Sequence, residues 1–193
     1  TYFWEDWESQ DFNDWSNTAW TIDDTHAQES YSAACLAGSN CDMYSTTNID
    51  TSNTNGIELN FRYYDDDCDE GDIVLYFYDS GGNWDNMGSI DAGTLGGSDN
   101  AWNTHSITTT DTQYFHENFA IRFEGDPDSG YWEEENYWLD NINVSYEEYG
   151  SLSGSFTSYV INTISMITKI TNVDWTSFGT DTNNNVSVKV SAD

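Results

Sequence analysis

Four stretches of this chain alternate apolar and polar residues: GIELNFRYY (56–64), DIVLYFYD (72–79), NFAIRFEG (118–125) and YWLDNINVSY (137–146). Alternation with period two is the signature of an extended strand with one face buried, and the β-branched and aromatic residues in these runs reinforce it. Between them lie clusters of turn-forming residues, DTSNTNG, DSGGN, DAGTLGGSDN and GDPDSG. Almost nothing has helical period. Short strands punctuated in this way predict an all-β protein, a β-sandwich or jelly roll.

Charge narrows the range of partners. Thirty-five Asp and Glu against four Lys and Arg give a formal net charge of -31. Such a field repels phosphate backbones, so nucleic acid is excluded as a partner, and anionic membrane surfaces are disfavoured too. No apolar run approaches the roughly 18 residues of a membrane-spanning helix, so direct membrane insertion is not expected. The aromatic content of 16% supplies material for a core and argues against disorder. Two explanations of the acidity stay open together: solubility in brine or another harsh extracellular medium, and Ca2+ binding.

The chain opens TYFWEDWESQ, without Met, basic n-region or apolar h-region. The expectation is an exported segment whose signal peptide was removed, or a piece of something larger. After about residue 147 the composition shifts. The runs SFTSYVINT, SMITKITNVDWTSFG and NVSVKVSAD carry few acids and read as three further strands, too few to enclose a core alone. Two units are therefore expected, a jelly roll over residues 1–147 and a small additional C-terminal β-unit or assembly tail over 148–193.

Three cysteines fit an oxidising compartment. Cys35 and Cys41 bracket the turn-like LAGSN, so a local disulfide closing a hairpin is expected, leaving Cys68 odd, free or paired otherwise. Asn143 and Asn185 each begin an NVS glycosylation sequon.

The order and spacing of several pieces then become informative: WESQDFNDW (7–15), Trp20, THAQESYSAACLAG (25–38), STTNIDTSNTNGIELNFRYY (45–64), GDIVLYFYDSGGNW (71–84), AWNTHSI (101–107), and IRFEGDPDSGYW with YWLDNINV (121–144). Over about 140 residues this pattern resembles the MAM-type, concanavalin-like jelly rolls of extracellular proteins, including modules of prokaryotic and archaeal surface proteins. It departs from animal MAM domains in lacking their four-cysteine framework. The tail is similar to the opening strands of a β-sandwich repeat in such surface proteins. The resemblance implies a structural Ca2+ tying the first strand to the last, with Glu8 and Asp140 at the matching positions and Asp6 and Asp11 near enough in sequence to help.

Motifs for catalysis are missing. HENFA (116–120) has Ala120 where a metalloprotease helix needs its second His, and GSLSG (150–154) has Leu152 where a nucleophile would stand. Carboxylate pairs are uninformative among so many acids. The acidic knot DDDCDEGD, with Asp65, Asp67, Asp69 and Asp72, fails the EF-hand template, since Glu70 and Tyr76 stand where Gly and Glu belong. It reads as a solvated hairpin tip, or as a weaker second Ca2+ site. Trp132 and Trp84 are candidate platforms for a sugar ring, whereas Trp138 fits a core strand equally well. The expected function is a non-enzymatic structural or adhesive module at the cell surface, partnered by copies of itself or by neighbouring surface-protein modules, as a fibre subunit whose tail makes the contact. The alternative is a carbohydrate-binding module of a secreted hydrolase, with glycans as partners.

Overall fold

The computed structural model describes residues 3–127 and 134–148. In chain order its strands are β1 (Phe3–Glu5), β2 (Trp15–Thr18), β3 (Thr21–Asp23), β4 (Ser32–Cys35), β5 (Cys41–Ser45), β6 (Thr54–Asp66), β7 (Ile73–Tyr78), β8 (Trp84–Ser89), β9 (Ala101–Thr109), β10 (Ile121–Gly125) and β11 (Asn136–Glu148), with a short helix α1 (Ala92–Leu95) between β8 and β9. One antiparallel sheet has the order β3-β4-β11-β6-β9, with β1 also paired to β11, and the other has the order β2-β5-β10-β7-β8. The chain passes back and forth between the two sheets, a jelly-roll β-sandwich as expected. Of the expected C-terminal unit only Glu148 is described; Trp132, Asn185 and the strand runs beyond residue 150 lie outside the described residues.

The alternation in the sequence fixes which side chains turn inward. Ile57, Leu59, Phe61 and Tyr63 of β6 are buried, as are Ile73, Leu75 and Phe77 of β7 and Ile121 and Phe123 of β10. The two sheets meet through such contacts as the edge-on pair Phe61 and Phe123, with ring centroids 6.0 Å apart. Each buried side chain of this size contributes about 1.5–3 kcal/mol by leaving water. The run 137–146 is longer than expected and contains a bulge. Leu139 and Ile142 are both buried, three positions apart instead of two, and the register slips between Asp140 and Asn143. Asn141 takes up the extra residue with φ 52°, a left-handed conformation that Asn tolerates.

Two expectations are corrected by the topology. The disulfide between Cys35 and Cys41 forms, with Cα atoms 6.0 Å apart, but it closes no hairpin. Cys35 ends β4 in the six-stranded sheet and Cys41 begins β5 in the other, so the bond staples one sheet to the other. Both are fully buried. A side chain at Gly125 would stand 2.7 Å from Ile73 Cδ1 and 3.0 Å from Cys35 Sγ, which accounts for glycine there.

The acidic knot is likewise a crossover between sheets and no hairpin tip, because β6 and β7 belong to different sheets. Asp65 follows the inward parity of Tyr63 and is fully buried. Its Oδ1 accepts the Cys68 N–H at 2.8 Å and its Oδ2 the Ala92 N–H at 2.5 Å, tying the crossover to α1. Burial pushes its carboxyl above the usual range even though both bonds favour the charged form. Cys68 is unpaired and buried, and its thiol, whose Sγ donates to the Asn136 carbonyl, is raised by desolvation, so it is no ready nucleophile.

Candidate binding cleft

Trp84 opens β8, the edge strand of the five-stranded sheet, directly opposite Tyr78 of β7. The turn before it is built by DSGGN. Asp79 Oδ1 accepts the Asn83 N–H at 2.7 Å, and Gly82 turns the chain with φ 86°. That bond is the main reason the Asp79 carboxyl lies below its ordinary range. Tyr78 points outward because Phe77 points inward, and Tyr44 on β5 does so because Met43 is buried.

The ring centroids of Tyr78 and Trp84 lie 5.0 Å apart, and those of Tyr44 and Trp84 lie 5.9 Å apart. Beside these rings Ala120, just before β10, offers only a methyl, leaving a cleft of about 490 Å³ rimmed by Thr46, Thr47, Asn48 and Asn118. His116 fixes the neighbouring loop, with Nε2 3.0 Å from the Tyr78 carbonyl oxygen. Among the described residues no Asp or Glu lines the cleft, in a chain that carries thirty-five of them. Aromatic faces beside hydroxyls and amides offer apolar stacking and paired donors and acceptors without a fixed charge.

The other predicted residues are placed as follows. Glu8 Oε1 accepts the N–H groups of Ser30 and Tyr31 at 2.8 and 3.0 Å, and Asp140 Oδ2 accepts that of Gln28 at 2.9 Å, so both acids hold the same loop. Asp140 is buried, and desolvation, with Asp6 and Glu8 adding repulsion, pushes its carboxyl up to about 6. Asp6 itself accepts from Glu8 N and from the Trp4 indole. Asp11 is taken up in its own turn, with both oxygens bonded to Asn13. Asp72 Oδ2 accepts the Asp69 N–H at 2.6 Å, and Asp67 sits at φ 61°. Among the described residues no three His, Cys, Asp or Glu side chains converge on a ready-made metal site. Asn143 lies within β11, between β1 and β6.

Sequence reasoning singled out Trp84 but missed Tyr44 and Tyr78. Both sit in alternating strands, where an outward aromatic looks like any other strand residue. Only the topology brings positions 44, 78 and 84 together.

No family model matches the sequence, and none of the curated proteins matches it. The fold does have solved counterparts. The chain is similar to TmCBM61 in complex with β-1,4-galactotriose, at TM-score 0.50 and 12% identity over 74% of this chain and 94% of that one. It is similar to the CBM22-1 xylan-binding domain of Xyn10C from Paenibacillus barcinonensis, at TM-score 0.51 and 10% identity over 75% and 92%. The enzymatically active domain of tailspike protein 4 from Bacteriophage CBA120 superposes at TM-score 0.54 and 14% identity, over 74% of this chain but 20% of that one. These likenesses show a jelly-roll fold shared with carbohydrate-binding modules. They do not extend to the MAM-type modules of prokaryotic surface proteins that the residue pattern resembles.

Proposed function

We propose that this chain is a non-catalytic carbohydrate-binding module of a protein working outside the cell, and that it holds a neutral glycan in the Trp84 cleft. The observation that carries this reading is the acid-free aromatic cleft on a strongly acidic protein. Tyr44, Tyr78 and Trp84 present faces on which the C–H surface of a sugar ring stacks, while Asn48, Asn118, Thr46 and Thr47 meet its hydroxyls. Glycoside hydrolysis needs two carboxyl groups flanking the bond, and the lining offers none, which supports binding without turnover. The inter-sheet disulfide supports an oxidising, extracellular setting. Two solved neighbours are a β-1,4-galactotriose complex and a xylan-binding domain, and they make neutral β-linked polysaccharides the first ligands to try.

Calcium enters the same proposal as a stabiliser. Glu8 and Asp140 anchor one loop, and the repulsion that Asp6 and Glu8 exert on buried Asp140 is what a hard cation with oxygen ligands would relieve. Assembly into a surface fibre through the tail concerns residues outside those described.

Affinity electrophoresis or calorimetry of the full chain against β-1,4-galactan, xylan and cello-oligosaccharides tests the proposal. Saturable binding that Trp84→Ala weakens at least tenfold supports it. Binding to none of these, or binding indifferent to Trp84, overturns it.

A further inference from the structure

The outer face of the six-stranded sheet carries a second groove. Trp4 of β1 pairs with Asn143 of β11, and Asn143 pairs with Asn60 of β6, so the three side chains form one row across three strands. At the usual strand spacing that row is roughly 9–10 Å long. Arg62 and Thr104, partners across β6 and β9, stand beside it. The bulge in β11 turns Asn141 into the same place, and these six residues, with Gln28, Glu29 and Phe61, line about 370 Å³ of open groove.

Its chemistry is unusual for a surface that only needs to be soluble. Trp4 is 53% exposed, and the edge of its indole is held by a bond from Nε1 to Asp6 Oδ2 at 3.2 Å. Asn143 Oδ1 is shielded from solvent and meets no donor. An unmet acceptor costs stability, so hydrogen bonding within the sheet does not explain asparagine at that position. Arg62, one of four basic residues in the chain, donates through Nη1 to Gln28 Oε1 and lies in the groove. Its charge is offset by that of Glu29 in the same lining, so the groove favours neither sign, while a net charge of -31 disfavours a polyanion. What fits is uncharged, rich in hydroxyls and long enough to cross three strands.

We infer that this groove is a second glycan site, which takes a neutral polysaccharide chain running across β1, β11 and β6. It lies on the sheet opposite to the one bearing the Trp84 cleft, so the module binds two chains at once and bridges them. The inference rests on the glycan-binding reading of the fold and extends it.

The test uses the full chain with β-1,4-galactan, xylan and cello-oligosaccharides as probes, read by calorimetric stoichiometry and by light scattering of the polysaccharide mixture. Two sites per chain and cross-linking by the unaltered protein are expected. Trp84→Ala should leave one site and end the cross-linking. Trp4→Ala with Asn143→Ala should do the same from the other face, and Thr104→Tyr, which fills the groove from an exposed position, repeats that result without touching the core. Weakening at the altered site should be at least tenfold. One site per chain, lost entirely in Trp84→Ala, overturns this inference while the single-cleft reading stands. If the unaltered chain binds none of the probes, both fall. An N-glycan on Asn143 in protein from its natural source, shown by peptide mapping, would also overturn it.

Discussion

The Trp84 cleft and the Asp65 crossover use opposite chemistry, and the sequence advertises them in reverse. DDDCDEGD is the loudest motif in the chain, yet its first acid is buried and bonded to the Cys68 and Ala92 N–H groups, where it holds a crossover to a helix. The cleft has no motif and no acid among the described residues that line it, and its parts come from four places in the chain, yet it is the site we propose for a neutral ligand. The contrast teaches that in a chain this acidic the abundance of carboxylates locates nothing. Where strand parity sends each side chain decides whether it holds the fold, meets solvent or faces a ligand.

If that contrast is right, the two regions respond differently to substitution. Asp65→Ala leaves two buried N–H groups without an acceptor and should cost about 2–4 kcal/mol, enough to lower Tm by several degrees. Asp65→Asn, which keeps one acceptor oxygen, should cost less. Chemical denaturation measures both, and glycan affinity at Trp84 should be unchanged in whichever variant folds. An Asp65→Ala protein as stable as the parent would show that the acid only decorates the crossover.

Asp140 sharpens the comparison through pH. Its folded carboxyl titrates near 6, against 3.8 for the free side chain, so between those values the folded state holds the proton more tightly than the unfolded state. In chelator, this group's contribution should therefore be fully present below pH 3.8. It should be lost as pH rises from there through 6, by about 3 kcal/mol in all, and stay level above. Added Ca2+ at a hundredfold excess over its dissociation constant should restore about 2.7 kcal/mol at pH 7, and Asp140→Asn should lose that response. Melting curves at pH 4 and 7, with and without Ca2+, separate these outcomes.

Removing the inter-sheet staple comes next in size. Cys35→Ser with Cys41→Ser opens a loop of only six residues, so chain entropy predicts a loss of about 2 kcal/mol. A larger loss would mean that the staple also holds the two sheets in register.

Much of the fold was legible in the sequence, and the reason is parity. GIELNFRYY and DIVLYFYD told which residues turn inward, and β6 and β7 formed there. Parity does not tell which sheet a strand joins, so both the knot and the disulfide read as local features when each spans the sandwich. β8, WDNMGS, has weak alternation because it is an edge strand with no fully buried residue, and it left no signal. The site was half legible. An aromatic after a glycine turn marked Trp84, whereas Tyr44 reaches it only through the pairing of β5, β10 and β7. The bulge that turns Asn141 outward is visible in hindsight as the three-residue spacing of Leu139 and Ile142.

The central claim is that the acid-free aromatic cleft binds neutral glycan. Its most direct test is isothermal titration of β-1,4-galacto-oligosaccharides and xylo-oligosaccharides into the full chain and into Trp84→Ala, with melting curves recorded in parallel. Trp84 lies on an edge strand and is only partly buried, so Tm should move by no more than a few degrees. The account predicts saturable binding by the parent and at least a tenfold loss at that site, about 1.4 kcal/mol, in the variant. Equal binding by the two proteins at equal stability would contradict it.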